Sequence, residues 1–132
     1  MELLGLDQPQ TILVIEDKLS FANRLIRYLE SKGHIVFGYD GVLSIDGVVM
    51  TGTNSLTIMT PFEVDLSKFD MCFLDHYFAG EEYDGTSMTK ILAPLGVKVC
   101  GMSSVDPANF SMLRYGAVCA YRKDVLGKML GI

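Results

Sequence analysis

Acidic residues follow two of the most apolar runs in this sequence, where a buried strand would ordinarily end on a turn residue. The run MCFLD ends on Asp75, and the run TILVIED ends on Glu16 and Asp17. A carboxylate at the end of a buried strand costs free energy unless something positive lies beside it. Ser103 and Lys123 follow two later apolar runs. These residue types and positions indicate a site for a cation and for an anionic group.

The elements that must position these residues follow from the hydrophobic pattern. Apolar, β-branched runs predict five short buried strands, over 11–17, 34–39, 70–75, 97–104 and 117–123. Helical spacing and capping residues predict helices over 18–33, 85–96, 106–116 and 124–132. This order predicts a doubly wound α/β domain with a parallel sheet. In such a domain ligands bind at the carboxyl ends of the strands, where all of the polar residues above would meet.

Local signals place the helix ends. Ser20 is expected to cap the first helix, and Gly33 is expected to end it. Pro94 must cut the second helix short. Asp106 is expected to cap the third helix, with Pro107 at its first position.

Residues 40–69 interrupt the alternation of strands and helices. They have β-branched residues, a weak helical period and an Asp46-Gly47 turn, which predict a hairpin-like insertion in place of a helix. Its apolar residues could extend the sheet or form a homodimer face: Val48, Val49, Met50, Leu56, Ile58 and Met59. Residues 1–10 are expected to be a mobile lead-in, and residues 1–132 a single domain.

Composition excludes several classes of protein. The 132 residues carry a net charge of −5 without a basic block, which argues against nucleic acid and against an anionic membrane surface as partners. No apolar run is long enough to span a bilayer, and the N-terminus lacks the basic region of a secretory signal. The three cysteines lie in apolar runs without zinc-ligand spacing, as reduced core thiols of a cytoplasmic protein do.

The converging residues suit phosphoryl transfer. Three carboxylates repel one another unless a cation is present, and oxygen ligands suit Mg²⁺. Beside the ion, Asp75 could attack phosphorus as a nucleophile. The metal and Lys123 would neutralise the transferring group, and the Ser103 hydroxyl would bond one of its oxygens.

The order of these residues resembles the receiver domain of two-component response regulators, over roughly residues 11–126 apart from the insertion. The resemblance assigns family roles to six residues here: the acidic pair Glu16 and Asp17, the phosphoacceptor Asp75, the carbonyl of Tyr77 as a further metal ligand, the switch hydroxyl Ser103 and the invariant lysine Lys123. Asp84-Gly85 and Gly116-Ala117 resemble the family's dipeptides before the third helix and the fifth strand. The resemblance implies a flavodoxin-like fold, Mg²⁺ as cofactor and phosphorylation by a histidine kinase or a histidine phosphotransfer protein. It also implies signalling by docking on a downstream protein partner.

The sequence departs from the family pattern at several positions: Phe78-Ala79 replaces Met-Pro, Glu81 and Glu82 lengthen an acidic loop, Asp124 replaces a proline, and Ala120 stands where the family has a rotating aromatic. Tyr121 comes one position late and is expected to face the other side of the strand. We therefore expect intact phosphorylation chemistry and a remodelled signalling face.

Three functions fit this pattern. The first is a phosphoacceptor switch, which is not a metabolic enzyme and acts alone or as part of a longer protein. The second is a pseudo-receiver, in which Asp75 and Lys123 form only a structural ion pair and the domain is a protein interaction module. The third is a phosphatase with an aspartyl nucleophile, but such enzymes usually have a second aspartate two residues after the nucleophile, and Tyr77 at that position argues against this function.

Overall fold

A computed structural model describes residues 4–80 and 82–132. These residues contain eight strands: β1 (Thr11–Ile15), β2 (Ile35–Tyr39), β3 (Gly41–Asp46), β4 (Val49–Thr53), β5 (Glu63–Asp65), β6 (Met71–Leu74), β7 (Lys98–Gly101) and β8 (Cys119–Ala120). The helices are α1 (Leu19–Ser31), α2 (Gly85–Leu92), α3 (Asp106–Arg114) and α4 (Lys123–Leu130). A parallel sheet has the order β2-β1-β6-β7-β8, and an antiparallel sheet has the order β3-β4-β5. The flavodoxin-like five-stranded parallel sheet is confirmed.

Two apolar cores hold the helices against the parallel sheet. The residues of β1 after Thr11 are fully buried, because side chains from both faces of this central strand enter a core. On one face, Leu25 of α1 packs in the same cluster as Leu126 of α4. On the other face, Met88 of α2 and Met112 of α3 pack with the antiparallel sheet. The domain is therefore doubly wound, as expected.

The helix ends show where local signals mislead. α1 begins at Leu19 after Lys18, which has no side-chain cap, so the prediction that Ser20 is the cap is wrong. α3 begins at Asp106 itself, after Val105 as its uncapped N-cap residue, so the capping role of Asp106 is also wrong. Leu19 and Asp106, the first residues of the two helices, are exposed, and both helices begin without a side-chain cap. Gly33, with φ of 90°, follows the end of α1 as predicted.

The insertion is a three-stranded sheet rather than a hairpin alone. Gly47 turns between β3 and β4 with φ of 62°, which confirms the predicted hairpin. β5 then adds an antiparallel strand on the far side of β4, and this strand was not predicted. Met50 is fully buried in the core, whereas Ile58 is fully exposed. The insertion therefore has its own buried face and covers the sheet where a helix would lie.

The lead-in is anchored at Leu4 and Gln10, and its mobility stays a prediction. Leu4 is fully buried against the core beneath α1, and the side-chain amide of Gln10 donates to the Leu4 and Gly5 carbonyls. Residues 1–3 lie outside the described part of the chain.

Each of the described helices is too short or too polar to cross a bilayer.

Candidate functional site

Glu16 and Asp75 meet because their strands are neighbours in matched register. In the parallel pairing of β1 with β6, Ile15 stands opposite Leu74, and each strand is followed at once by its carboxylate. Glu16 is fully buried and Asp75 is 3% exposed. Asp17 is exposed at the rim, and carboxylate oxygens of the three residues lie within 4.8 Å of one another. The structure thus brings together the three predicted acids.

Lys123 supplies the positive charge of this cluster. Its Nζ lies 2.9 Å from Glu16 Oε1 and 3.1 Å from Asp75 Oδ2. β8 ends at Ala120, because only Cys119 and Ala120 pair with β7, so Lys123 is the first residue of α4 rather than the last of a strand. Its side chain is 16% exposed. One largely buried cation therefore contacts two buried carboxylates.

Backbone amides donate hydrogen bonds to the other carboxylate oxygens of Asp75 and Glu16. Asp75 Oδ1 accepts a 2.8 Å hydrogen bond from the His76 amide, and Glu16 Oε2 accepts a 3.3 Å bond from the Lys18 amide. Glu16 Oε1 is buried, and its partner is the ammonium of Lys123 at 2.9 Å. Three carboxylates around one cation leave an excess of negative charge, which suits a hard divalent cation such as Mg²⁺. The donor set therefore fits a metal site.

Burial and crowding alter the proton affinities here. Burial, followed by the neighbouring Asp75 carboxyl group, raises the pKa of Glu16 to about 8, although Lys123 opposes the shift. Burial lowers the pKa of Lys123, but its contacts with Glu16 and Asp75 outweigh this and raise the pKa above its usual value. Without a metal, Glu16 therefore retains a proton in part near neutral pH while Lys123 stays charged.

The side chain of Asn109, which the sequence analysis did not single out, holds Ser103 in place. The Ser103 amide donates to Asn109 Oδ1 at 3.0 Å, and Asn109 Nδ2 donates back to the Ser103 carbonyl at 2.8 Å. The preceding residue, Met102, donates its amide to the carbonyl of Leu74 at the end of β6. The Ser103 hydroxyl accepts from the Val105 amide at 3.1 Å and does not bond to Asp75. A lone Asn six residues after a serine gives no sequence signal.

Tyr77 and the acidic loop lie on the outer side of the site. The Tyr77 residue is 60% exposed, and its ring packs edge-on against the His76 ring with centroids 4.5 Å apart. The role of its carbonyl as a metal ligand stays a prediction. Glu82 is exposed, and Glu81 lies outside the described residues.

The Asp84-Gly85 pair fixes the start of α2 against the turn that follows Asp75. Asp84 caps the helix through the Ser87 amide, in a reciprocal capping box. The Gly85 amide donates to the His76 carbonyl, and a Cβ at Gly85 would stand 2.6 Å from the Asp75 carbonyl oxygen. Only glycine allows this close approach, which explains why a glycine follows Asp84.

His76 and the insertion make further contacts that hold the segment after Asp75 in place. His76 Nε2 hydrogen-bonds Thr86 Oγ1 at 3.0 Å, and that hydroxyl contacts Ser111 Oγ at 2.7 Å, which links α2 to α3. Nδ1 of His76 is buried and has no hydrogen-bond partner among the described residues, so only one nitrogen of the ring is satisfied. The loop after β6 pairs with β3: Val42 donates to the Ala79 carbonyl, and Ala79 donates to the Asp40 carbonyl. The insertion is therefore tied by backbone bonds to the loop that leaves Asp75.

The last strand shows the expected departure from the family. Ala120 is half-buried, and Tyr121 packs into the core beneath α1 and α4. Tyr121 therefore occupies the opposite face from the one expected for a rotating aromatic, as the alternation of a strand requires.

No protein-family model matches the chain, and no curated protein matches it in sequence. Solved structures do resemble it in fold. A two-component response regulator from Clostridium difficile superposes with a TM-score of 0.61 at 15% identity, and the match covers 93% of each chain. A response regulator from Burkholderia pseudomallei, with a phosphorylated aspartic acid, calcium ion and citrate, matches at a TM-score of 0.59 and 18% identity over 89% of this chain and 65% of the other. The signal receiver domain of the putative response regulator NarL from Mycobacterium tuberculosis matches at 0.59 and 19%, over 89% and 86%. The chain has the fold of response-regulator receiver domains.

Proposed function

We propose that this chain is the phosphoacceptor receiver domain of a two-component system, and that Asp75 accepts the phosphoryl group. The observation that carries the proposal is the contact of Lys123 with both Asp75 and Glu16 at the carboxyl edge of the sheet. A structural ion pair needs one acid and one base, whereas this cluster adds two further acids within 4.8 Å of each other and of Asp75. That excess of negative charge suits a metal-assisted reaction.

The reaction requires little covalent chemistry from the protein. An oxygen of the Asp75 carboxylate attacks phosphorus as the bond from phosphorus to the donor histidine nitrogen breaks. The electron pair of that bond stays on the imidazole, which takes up a proton, and Asp75 becomes an acyl phosphate. Lys123 neutralises charge on the transferring group, and the Ser103 hydroxyl, which accepts from the Val105 amide, uses its own proton to donate to a phosphoryl oxygen.

Glu16, Asp17, Asp75 and the carbonyl of Tyr77 would hold Mg²⁺. When bound, the ion neutralises charge on the phosphoryl oxygens. The Burkholderia structure supports this assignment, because it has a phosphorylated aspartic acid and a calcium ion on the same fold.

The partners follow from the same proposal. The donor is a histidine kinase or a histidine phosphotransfer protein, and the phosphorylated chain docks on a downstream protein. Three free, buried cysteines fit a reducing compartment, the cytoplasm. A homodimer stays a prediction, which sedimentation over a wide concentration range tests.

The test is intact mass after incubation with acetyl phosphate, with and without Mg²⁺. We expect a metal-dependent gain of one phosphoryl group, lost in Asp75→Asn. Asp46→Asn is the matched control, because it makes the same chemical change at an exposed hairpin turn where Asn-Gly serves as well as Asp-Gly. Full labelling of Asp75→Asn, or equal loss in both variants, contradicts the assignment.

A second candidate, the pseudo-receiver that acts as an interaction module, is favoured by one observation. The strand position of the family's rotating aromatic is Ala120, and Tyr121 is packed on the other face. A Mg²⁺ titration followed by tyrosine fluorescence or NMR separates the two. No binding at millimolar Mg²⁺ together with no labelling supports the interaction module.

A further inference from the structure

A basic cavity lies between the start of α1 and the body of α4, and its lining includes Lys123 but not Asp75. It has a volume of about 420 Å³. Five of the chain's eleven lysines and arginines line it, against one acid: the cations are Lys18, Arg24, Arg122, Lys123 and Lys128, and the acid is Asp124. In a chain of net charge −5, this concentration of positive charge is unlike the rest of the molecule.

Three of these cations have no acidic partner. Lys18, Arg24 and Lys128 form no ion pair with any residue that the structure describes. Arg24 donates through Nε to the Ser20 carbonyl, which leaves the rest of its guanidinium free to bind a ligand. Like charges that face one another across a cavity repel, and an anion between them would remove that repulsion.

The other two cations are already engaged. Lys123 directs its ammonium to Glu16 and Asp75. Arg122 makes loose contacts with Asp106 at 3.7 Å and Asp124 at 3.5 Å. The cavity is therefore distinct from the phosphoacceptor site, and Lys123 is the wall that they share.

The chemistry of the free cations selects a class of ligand. A guanidinium binds phosphate oxygens as a planar fork, and an ammonium acts as a point charge. The free cations come from separate elements, the residue before α1, α1 itself and the end of α4, so a single tetrahedral anion would leave part of the charge uncompensated. The volume lies within the range of small-molecule sites.

We propose that this cavity binds a small ligand that carries a diphosphate group, either inorganic pyrophosphate or a nucleoside diphosphate. The inference does not depend on phosphorylation of Asp75. It predicts an effector site next to the proposed site of phosphorylation, joined to it through Lys123.

The test is calorimetric titration of the full chain without Mg²⁺, so that the metal site does not contribute. The probes are pyrophosphate, ADP, adenosine and orthophosphate. We expect saturable binding of pyrophosphate that weakens as salt is added, and no binding of adenosine. Tighter binding of ADP than of pyrophosphate identifies a nucleotide as the ligand, and equal binding identifies the diphosphate alone as the recognised group.

Variants locate the site. The double variant Arg24→Gln and Lys128→Gln should weaken pyrophosphate binding at least tenfold, since each removes a charged hydrogen-bond donor. Lys98→Gln is the matched control, because Lys98 is exposed at the opposite end of the sheet, and it should change binding less than twofold. If the double variant fails to fold, Lys18→Gln carries the same expectation, since Lys18 precedes α1 and is exposed.

Three results overturn the proposal: no saturable binding at millimolar pyrophosphate, equal weakening by Lys98→Gln, or orthophosphate binding as tightly as pyrophosphate. Asp75→Asn separates this inference from the proposed function. Loss of labelling in that variant with unchanged pyrophosphate binding supports both, and pyrophosphate binding by a wild-type chain that cannot be labelled contradicts the receiver proposal alone.

Discussion

Lys123 Nζ lies 3.1 Å from Asp75 Oδ2, which joins the first residue of α4 to the residue that follows β6. The same ammonium contacts Glu16, the residue after β1, so the ion cluster connects the last helix to two central strands. One cation does not balance two buried carboxylates and the exposed Asp17 beside them. The cluster must therefore take up a proton, a metal ion or both.

Removal of Lys123 should destabilise the fold. Lys123→Met keeps most of the side-chain volume but leaves Glu16 and Asp75 buried without a cation. We expect the free energy of unfolding near pH 8 to fall by roughly 3 kcal/mol, as when one partner of a buried ion pair is removed. Near pH 5 the loss should be smaller, because Glu16 binds a proton. Urea denaturation measures both, and Lys98→Met at an exposed site should stay within about 0.5 kcal/mol of wild type.

The raised pKa of Glu16 predicts opposite effects of pH on stability and on metal binding. Burial and the Asp75 carboxyl group raise this pKa from 4.5 in the unfolded chain to about 8. The folded chain therefore binds more protons between these values, so the contribution to stability is full below pH 4.5 and is lost as the pH rises through about 8.

Affinity for Mg²⁺ should follow the reverse course. A metal ion must displace the Glu16 proton, so affinity should rise by up to about tenfold per pH unit until about pH 8. Mg²⁺ titrations followed by tyrosine fluorescence near pH 6 and near pH 8 check this. Glu16→Gln should flatten the unfolding profile in the absence of metal, and an unchanged profile in that variant would place the titration on another group.

Gly85→Ala should displace the turn that follows Asp75. The new Cβ would lie 2.6 Å from the Asp75 carbonyl oxygen and 2.7 Å from His76 Cα, both of which belong to the backbone. We expect a loss of roughly 2 kcal/mol and slower labelling by acetyl phosphate. Gly127→Ala in α4 is the matched control, since its Cβ would come no closer than 3.4 Å to any neighbour. That change should stabilise the chain by about 0.5–1 kcal/mol, so equal losses would contradict the argument.

Gly80→Ala should detach the insertion from the loop after β6. Gly80 has φ of 115°, and a Cβ there would stand 2.2 Å from the Val42 carbonyl oxygen. Hydrogen exchange at the Val42 amide, which donates to Ala79, should become faster, and stability should fall by roughly 2 kcal/mol. Gly47 also has a positive φ, but a Cβ there would meet open space. Gly47→Ala should therefore lower the free energy of unfolding by about 1 kcal/mol and leave hydrogen exchange at the Val42 amide unchanged. Unchanged exchange in Gly80→Ala would show that the pairing of loop and insertion survives.

The convergence of Glu16 and Asp75 could be predicted because it depends on a simple rule. Parallel strands end at one edge, so carboxylates that follow two neighbouring strands must meet. The same pattern places Lys123 at this edge, because it follows the last apolar run, although in the structure it opens a helix three residues after a two-residue strand. Its exposure and partners depend on how α4 turns away from the sheet, which no local signal encodes.

The features that the sequence did not predict depend on contacts between residues that are far apart in the chain. β5 pairs with β4 across a loop, and a three-residue strand has too little pattern to recognise. The Asn109 bonds to Ser103 and the Thr86 bond to Ser111 join separate helices and loops, and side chains of these types are common on surfaces. The helix starts predicted at Ser20 and Asp106 were wrong because both helices begin without the side-chain cap on which the prediction depended.

The insertion also covers an edge of the parallel sheet. β2 is the outermost strand on that side, and residues 56–60 run along it: Leu56 donates to the Gly38 carbonyl, and the Gly38 amide donates to Thr60 Oγ1. An uncovered edge strand offers free amides and carbonyls to a second chain and promotes aggregation. With this edge occupied from within, copies of the chain are hindered from adding strand to strand there. The segment that replaces a helix thus protects a chain of nearly half apolar residues from self-templated aggregation at high concentration.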